Sequence, residues 1–526
     1  MIEDIKPLVE NKLSFSHWQR VGTRRRFGVC TPLFSVRSRR SVGIGDFGDL
    51  EALAEVLRLC GATILQVLPL NDLGNGDAPY GAISAFALDP IYVALDKLEW
   101  MREDKGFMAR LEDARCALEA LERVDYPLVR QVKSQLLREA FEKAPEDVKL
   151  AYRKFAKDNE WLIGYAGFKV CDRLSLLPAE WSRDGVVREA SKHTKEMEFE
   201  FFAQYCLDSQ LRSAHERLNA MGIKFVGDVP ILVSRDSVDV LEHPEIFRLD
   251  LSAGAPPDMY AQDGQNWGFP IYDFEACKAS SFAWWRQRLQ IAERFYDLFR
   301  IDHVVGLFRF WAIPKDEKTG RNGMFVPQEE WRWGEQGRLW LETFLSATKM
   351  LPIAEDLGTI PPVCRQVLSE LGICGLKVQR WERFWEGDRS FIPPSQYPPV
   401  SVATLSTHDS ETFRGYYEAQ GDYRRDLWQA MGKRSPPPEK ATREVVQEVI
   451  KWLSDGASCF MVLMIQDVLD ALGLLEGDPA SHRINVPAVI SKMNWSWRMP
   501  VPVEDLVSRY YRDLGSIKEL VGTRAG

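Results

Sequence analysis

The chain has 526 residues, 45% of them hydrophobic and 27% charged, a balance that excludes wholesale disorder and leaves ample chain for a large core. Its 67 basic and 76 acidic residues give a net charge of -9 and a pI near 5.6, which argues against nucleic acid as a main partner and fits a neutral or small substrate. Nine cysteines, with no CxxC pair and no Cys/His cluster, argue against a disulfide framework or a structural zinc site.

The first residues are acidic and lack the basic-then-apolar layout of a signal peptide. The longest apolar stretch, residues 459–465, is far too short to span a bilayer. A soluble, cytoplasmic protein with no membrane partner is expected. In chain order, short apolar runs ending in polar or charged residues predict buried strands at 27–30, 63–68, 224–228, 298–302, 351–356, 375–379, 402–406 and 459–464. Helical patterns lie between most of them, as at 49–60 and 283–296. Eight strands alternating with helices predict an α/β fold, a parallel (β/α)8 barrel, with the whole chain, 1–526, as one catalytic unit. Residues 71–220 separate the second and third strands, and Val129, Val132 and Leu136 recur there at helical spacing. This stretch is expected to form an insertion subdomain, mainly helical, on the C-terminal face. Residues 243–273, rich in Gly, Pro and aromatics, form a second insertion, a structured loop. Residues 433–440 are a proline-rich connector, and no separate C-terminal β-domain is expected.

In such barrels function sits where strands end at the C-terminal face. Asp302, Glu355 and Asp409 lie at or just beyond such ends. Two carboxylates flanking a glycosidic bond serve double displacement, one attacking C1 and one protonating the leaving oxygen. A third can stabilise the positive charge that develops on the sugar. Arg300 and Asp302, two apart on a strand, share a face. A guanidinium there favours the ionised carboxylate of a nucleophile, although the same spacing also fits an ordinary buried salt bridge. Glu355 follows apolar residues, and burial would raise its pKa, as an acid catalyst requires. The 17 tryptophans suit both core filling and stacking on sugar faces.

Three segments, Phe299-Arg300-Ile301-Asp302-His303, Ile353-Ala354-Glu355-Asp356-Leu357-Gly358 and Ser406-Thr407-His408-Asp409, resemble in order the catalytic motifs of the 4-α-glucanotransferases. These are the amylomaltases or disproportionating enzymes of the α-amylase clan. Ser41 to Leu50, Pro79-Tyr80, Gly227-Asp228-Val229-Pro230-Ile231, Gly254-Ala255-Pro256-Pro257-Asp258, Gly264-Gln265-Asn266-Trp267-Gly268, Arg483-Ile484-Asn485-Val486-Pro487 and Asn494-Trp495-Ser496-Trp497-Arg498 extend the resemblance over nearly the whole chain. It implies Asp302 as nucleophile, Glu355 as general acid/base and Asp409 as transition-state stabiliser. Arg300, His303 and His408 would hold the reacting sugar, and Tyr80 would stack on it. Asp258, Gln265 and Trp267 would belong to a loop bordering the acceptor side, and Asn485 would lie near the cleft. The implied activity is transfer of α-1,4-glucan segments, with maltooligosaccharides as donors and glucan or glucose as acceptor.

The sequence departs from the family at Val304-Val305, where Phe-Arg is usual, at Ser410, and at Ala488-Val489, where Gly-Thr is usual. These positions bear on chain length and acceptor choice and leave the carboxylates intact. The run Gly43-Ile44-Gly45-Asp46-Phe47-Gly48 has dinucleotide-motif spacing without the βαβ context or downstream acid, so a tight turn is expected and no cofactor or metal is implied. Two alternatives remain at this stage, an α-glucan hydrolase of the same clan and a weakly catalytic glucan-binding or regulatory protein.

Overall fold

The computed structural model describes residues 3–257 and 262–525. Eight short parallel strands close into a barrel in sequential order. They are β1 (Arg26–Cys30), β2 (Ile64–Gln66), β3 (Lys224–Val229), β4 (Leu298–Ile301), β5 (Leu351–Ala354), β6 (Cys374–Val378), β7 (Ser401–Thr404) and β8 (Phe460–Met464). Strands buried on both faces read as nearly continuous apolar runs, and β4, β5, β7 and β8 are buried at every position. Pro352 sits within β5, a place where a missing N–H usually disrupts a ladder. Leu351, on β5, donates to Asp297 on the β4 side, so by alternation Pro352 faces β6, where pairing starts only at Ile353 and Cys374. No ladder bond is lost there.

Between β2 and β3 the chain forms helices Lys105–Glu119, Tyr126–Glu142, Glu146–Asp158, Trp161–Arg173, Arg183–Ala190 and Thr194–Ala220. Asp104 and Asp125 cap the first two, each accepting from a backbone N–H three residues on. The last helix, of 27 residues, buries Phe199, Phe202, Cys206, Leu207, Leu211, Ala214 and Leu218 and leads directly into β3. Beyond β8 the described residues contain helices and turns but no strand. The C-terminal helices Val503–Arg509 and Tyr511–Val521 bring Arg524 under the barrel, where it donates to the carbonyls of Ser454, Gly456 and Cys459. Among the described residues no helix is long and apolar enough to cross a membrane.

Two small antiparallel sheets cover part of the C-terminal face. One pairs Phe247–Arg248 with Ile271–Tyr272, and the other runs Met324–Val326, Phe310–Pro314, Leu251–Ala255, Gln265–Asn266. The hairpin of residues 310–326, after β4, was not anticipated from the sequence. The glycine-rich run 43–48 is a turn into helix Leu50–Leu59, filled by its own carboxylates. Asp46 accepts from the Gly48 N–H, Asp49 accepts from the Asp46 N–H, and Arg40 pairs with both. A Cβ at Gly45 would lie 2.2 Å from the Leu33 carbonyl, so close backbone approach, not phosphate binding, accounts for that glycine.

Candidate active site

The site is built on the inward-facing ends of β3, β4 and β5. Alternation turns Arg300 of β4 into the barrel mouth, and the register places it opposite Asp228 of β3. Its Nη1 donates to both Asp228 oxygens at 2.9 Å and lies 2.9 Å from Asp302 Oδ1, while Nη2 lies 3.8 Å from Glu355 Oε2. One guanidinium therefore spans three carboxylates. Burial alone would lower the Arg300 pKa, but these neighbours hold it well above the ordinary value. Burial likewise raises Asp228.

Glu355 begins the loop after β5 with a side chain only 12% exposed. Burial, opposed by Arg300 and reinforced by the negative charge of Asp302, pushes its pKa up to about 8. The backbone N–H of His303 donates to Glu355 Oε2 at 2.6 Å. His303 adopts a left-handed φ of 44°, an uncommon conformation for a non-glycine residue. The residue is half-buried, and desolvation lowers its pKa to about 4, leaving it neutral. The Trp267 ring meets it edge-on at 4.9 Å.

Asp409 lies beyond β7 with 48% of its side chain exposed to the cleft. Burial of its surroundings acts to raise its pKa, but the His408 ring and the Asn485 amide outweigh this and lower it to about 2. His408 Nε2 lies 3.2 Å from Asp409 Oδ2, and Asn485 Nδ2 donates to Oδ1 at 2.6 Å. Tyr80 joins the two halves of the site. Its hydroxyl donates to Asp228 at 2.9 Å and lies 3.0 Å from His408 Nε2, and its ring stacks on His408 at 5.3 Å.

A buried acid with raised pKa, a second carboxylate against a fixed arginine and a third, cleft-facing carboxylate together suit double displacement at a sugar carbon. The sequence profile of the 4-alpha-glucanotransferase family matches residues 31–504. A 4-alpha-glucanotransferase of Chlamydia muridarum is 36% identical over 511 residues, covering 95% of this chain and 96% of that protein. The chain belongs to the 4-α-glucanotransferase family. A Synechocystis member is 29% identical over 95% of this chain and 98% of its own. The solved amylomaltase of Streptococcus agalactiae in complex with acarbose superposes with a TM-score of 0.81 at 26% identity, covering 95% of this chain and 99% of that one. The amylomaltase of Corynebacterium glutamicum shares the fold, with a TM-score of 0.79 at 21% identity, 97% of this chain and 76% of that one being covered.

In this glucanotransferase Asp302, Glu355, Asp409, Tyr80, Arg300, His303, His408 and Asn485 form one connected cluster at the barrel mouth. Trp267 joins through His303, and Gln265 joins through Trp267, whose Nε1 donates to Gln265 Oε1 at 3.1 Å. Asp258 lies outside the described residues. Sequence reasoning assigned no role to Asp228, although it is the common partner of Arg300 and Tyr80. It also passed over Arg483, which pairs with Glu411 at 3.0 Å and donates to the Asp409 carbonyl at 3.4 Å, and Trp495, whose ring packs beside Tyr80 and His408. The signal for Asp228 was its place as an inward polar residue late in β3. Recognising it required the register against β4.

Proposed function

We propose that the enzyme transfers α-1,4-glucan segments by retaining double displacement, with Asp302 as nucleophile, Glu355 as general acid/base and Asp409 as stabiliser. Asp302 attacks C1 of the donor. The C1–O bond breaks, its electron pair stays on the departing 4-oxygen, and that oxygen takes the proton of Glu355. The Asp409 carboxylate faces the positive charge that develops at the ring. The 4-hydroxyl of an acceptor then attacks C1, gives its proton to Glu355 and releases Asp302, so two inversions leave an α-bond. The observation that carries this reading is the shared guanidinium of Arg300, which holds Asp302 and the buried Glu355 within reach of one another. His408, Tyr80 and Asn485 hold the Asp409 side of the cleft.

Maltooligosaccharides and longer α-glucans are the donors in this reading, with glucose among the acceptors, Tyr80 and Trp267 as sugar platforms and Asp258 beside Gln265 on the acceptor side. The working unit is the whole chain, with residues 71–220 as an insertion subdomain and 243–273 as the substrate-loop insertion. The cytoplasm is the proposed compartment, in keeping with nine cysteines that are all free thiols. Incubation with maltotriose alone tests the activity. Transfer predicts glucose together with a ladder of longer oligosaccharides, whereas shortening without a ladder would mean that water is the acceptor.

A further inference from the structure

The hairpin of residues 310–326 does more than extend a sheet. Strand Phe310–Pro314 pairs with Leu251–Ala255, which pairs in turn with Gln265–Asn266, immediately before Trp267. The hairpin tip then reaches back to the same segment. Gly320 N donates to the Asp263 carbonyl at 2.9 Å, Asn266 Nδ2 donates to the Glu317 carbonyl at 2.6 Å, and Arg321 pairs with Asp263. A Cβ added to Gly320 would lie 2.4 Å from the Ala255 carbonyl oxygen and 2.6 Å from Gln265 N. Both are backbone atoms, so the clash cannot be relieved by a rotamer change. From the hairpin itself Trp311 Nε1 donates to the Gly320 carbonyl at 2.8 Å.

We propose that this hairpin tip, centred on Gly320, is a positioning element for the acid/base: it fixes residues 265–266, and so the Trp267 ring, against His303, whose backbone N–H holds Glu355. The inference rests on the reading of Glu355 as acid/base. Its physical core is the His303 backbone. A non-glycine residue in the left-handed region is strained and persists only where its surroundings dictate it. The Trp267 ring, seated edge-on against His303 on a backbone whose Trp267 N–H donates to the Ala253 carbonyl at 3.0 Å, supplies part of that constraint. If the ring shifts, the 2.6 Å bond from His303 N to Glu355 Oε2 lengthens and the acid loses its aim. The charged and titratable groups facing Glu355 are Arg300, Asp302 and His303 at the end of β4 and Asp409 beyond β7, with Asp228 behind Arg300. The His303 N–H favours the ionised carboxylate, so weakening it raises the Glu355 pKa and moves the high-pH limb of activity upward.

The test is Gly320→Ala in the full-length enzyme, read with two donors. Maltotriose needs a protonated acid for its leaving sugar, whereas α-maltosyl fluoride does not, and its first-turnover fluoride release reports attack by Asp302 alone. The expected result is a roughly tenfold to hundredfold fall in kcat/KM on maltotriose, with first-turnover fluoride release within about threefold of wild type. The high-pH limb on maltotriose should shift upward, and Lys318→Ala, at an exposed position on the same hairpin, should match wild type. Arg321→Ala removes only an exposed ion pair and keeps the comparison available if Gly320→Ala does not fold. It should show the same donor dependence at smaller size. Equal losses on both donors, or no loss on either, would overturn the inference. Glu355→Gln run alongside separates the two claims. If it lacks the donor-dependent pattern, the acid assignment fails. If it shows the pattern and the hairpin variants do not, only the hairpin inference fails.

Discussion

Glu355 and Asp409 illustrate how one cleft drives two carboxylates apart. Glu355 is buried beside Asp302 and pushed up to about 8, while Asp409 faces the cleft and is lowered to about 2 by His408 and Asn485 in spite of burial around it. A general acid must be protonated before the leaving sugar departs, so kcat/KM on maltotriose should hold through neutrality and fall as pH rises through the Glu355 pKa. A high-pH limb in the range expected of a solvent-exposed glutamate, near 4–5, would show that burial does not control this group. Asp302→Asn should lower transfer by several orders of magnitude, roughly 10³-fold or more, because in the proposed mechanism Asp302 is the group that forms the glycosyl ester. Unchanged thermal unfolding would show that the loss is chemical. Retention of a tenth of wild-type transfer would remove Asp302 from its role. His303 and His408 have different tasks in this account. His303 contributes its backbone to Glu355, and His408 contributes its ring to Asp409 and Tyr80.

Among the elements, the segment carrying Gln265 and Trp267 is the one proposed to set what the glycosyl group meets. The triad chemistry is common to hydrolysis and transfer, so partition between water and sugar depends on groups around the intermediate. A tryptophan face against an incoming glucose contributes about 0.5–1.5 kcal/mol. Trp267→Ala should therefore lower the ratio of transfer to hydrolysis on maltotriose by a few-fold to about tenfold. Free glucose measured against the oligosaccharide ladder gives that ratio, and an unchanged ratio would confine Trp267 to holding His303. The barrel strands were legible in the sequence because double burial leaves apolar runs. Even so, β2 spans only Ile64–Gln66, shorter than the apolar run around it: Val67 still donates to the Val226 carbonyl of β3, but no register pair extends beyond Gln66. The 310–326 hairpin was not legible. Its strand Phe310–Pro314 continues the apolar character of the residues after β4, and nothing local separates a barrel strand from a short strand in an overlying sheet. Asp228 lies within a matching motif, but its role is not legible there, because its pairing with Arg300 follows from strand register, which periodicity within one strand does not determine.

Across the whole molecule, the C-terminal end closes the barrel opposite the active site. Arg524 is 1% exposed and satisfies the carbonyls of Ser454, Gly456 and Cys459 next to Arg25, which donates to Ser454 and Gly456. Arg524→Ala removes charged hydrogen bonds to carbonyls that Arg25 and the Arg26 N–H still partner and empties a buried site, while relieving the proximity of two cations, for a net loss of roughly 1–3 kcal/mol. Thermal unfolding should move to lower temperature while activity well below the transition stays near wild type. A parallel loss of low-temperature activity would mean that this end of the barrel communicates with the mouth. The central claim, covalent transfer through Asp302, is tested most directly by trapping. In Glu355→Gln, α-maltosyl fluoride can still glycosylate the enzyme because fluoride leaves without an acid, whereas release to an acceptor lacks its base. Rapid quenching, proteolysis and mass spectrometry should then find a maltosyl group on the peptide containing Asp302, esterified at Asp302 and absent when Asp302→Asn is added. Fluoride release with the sugar on another residue, or sustained turnover with no adduct on any peptide, would contradict it.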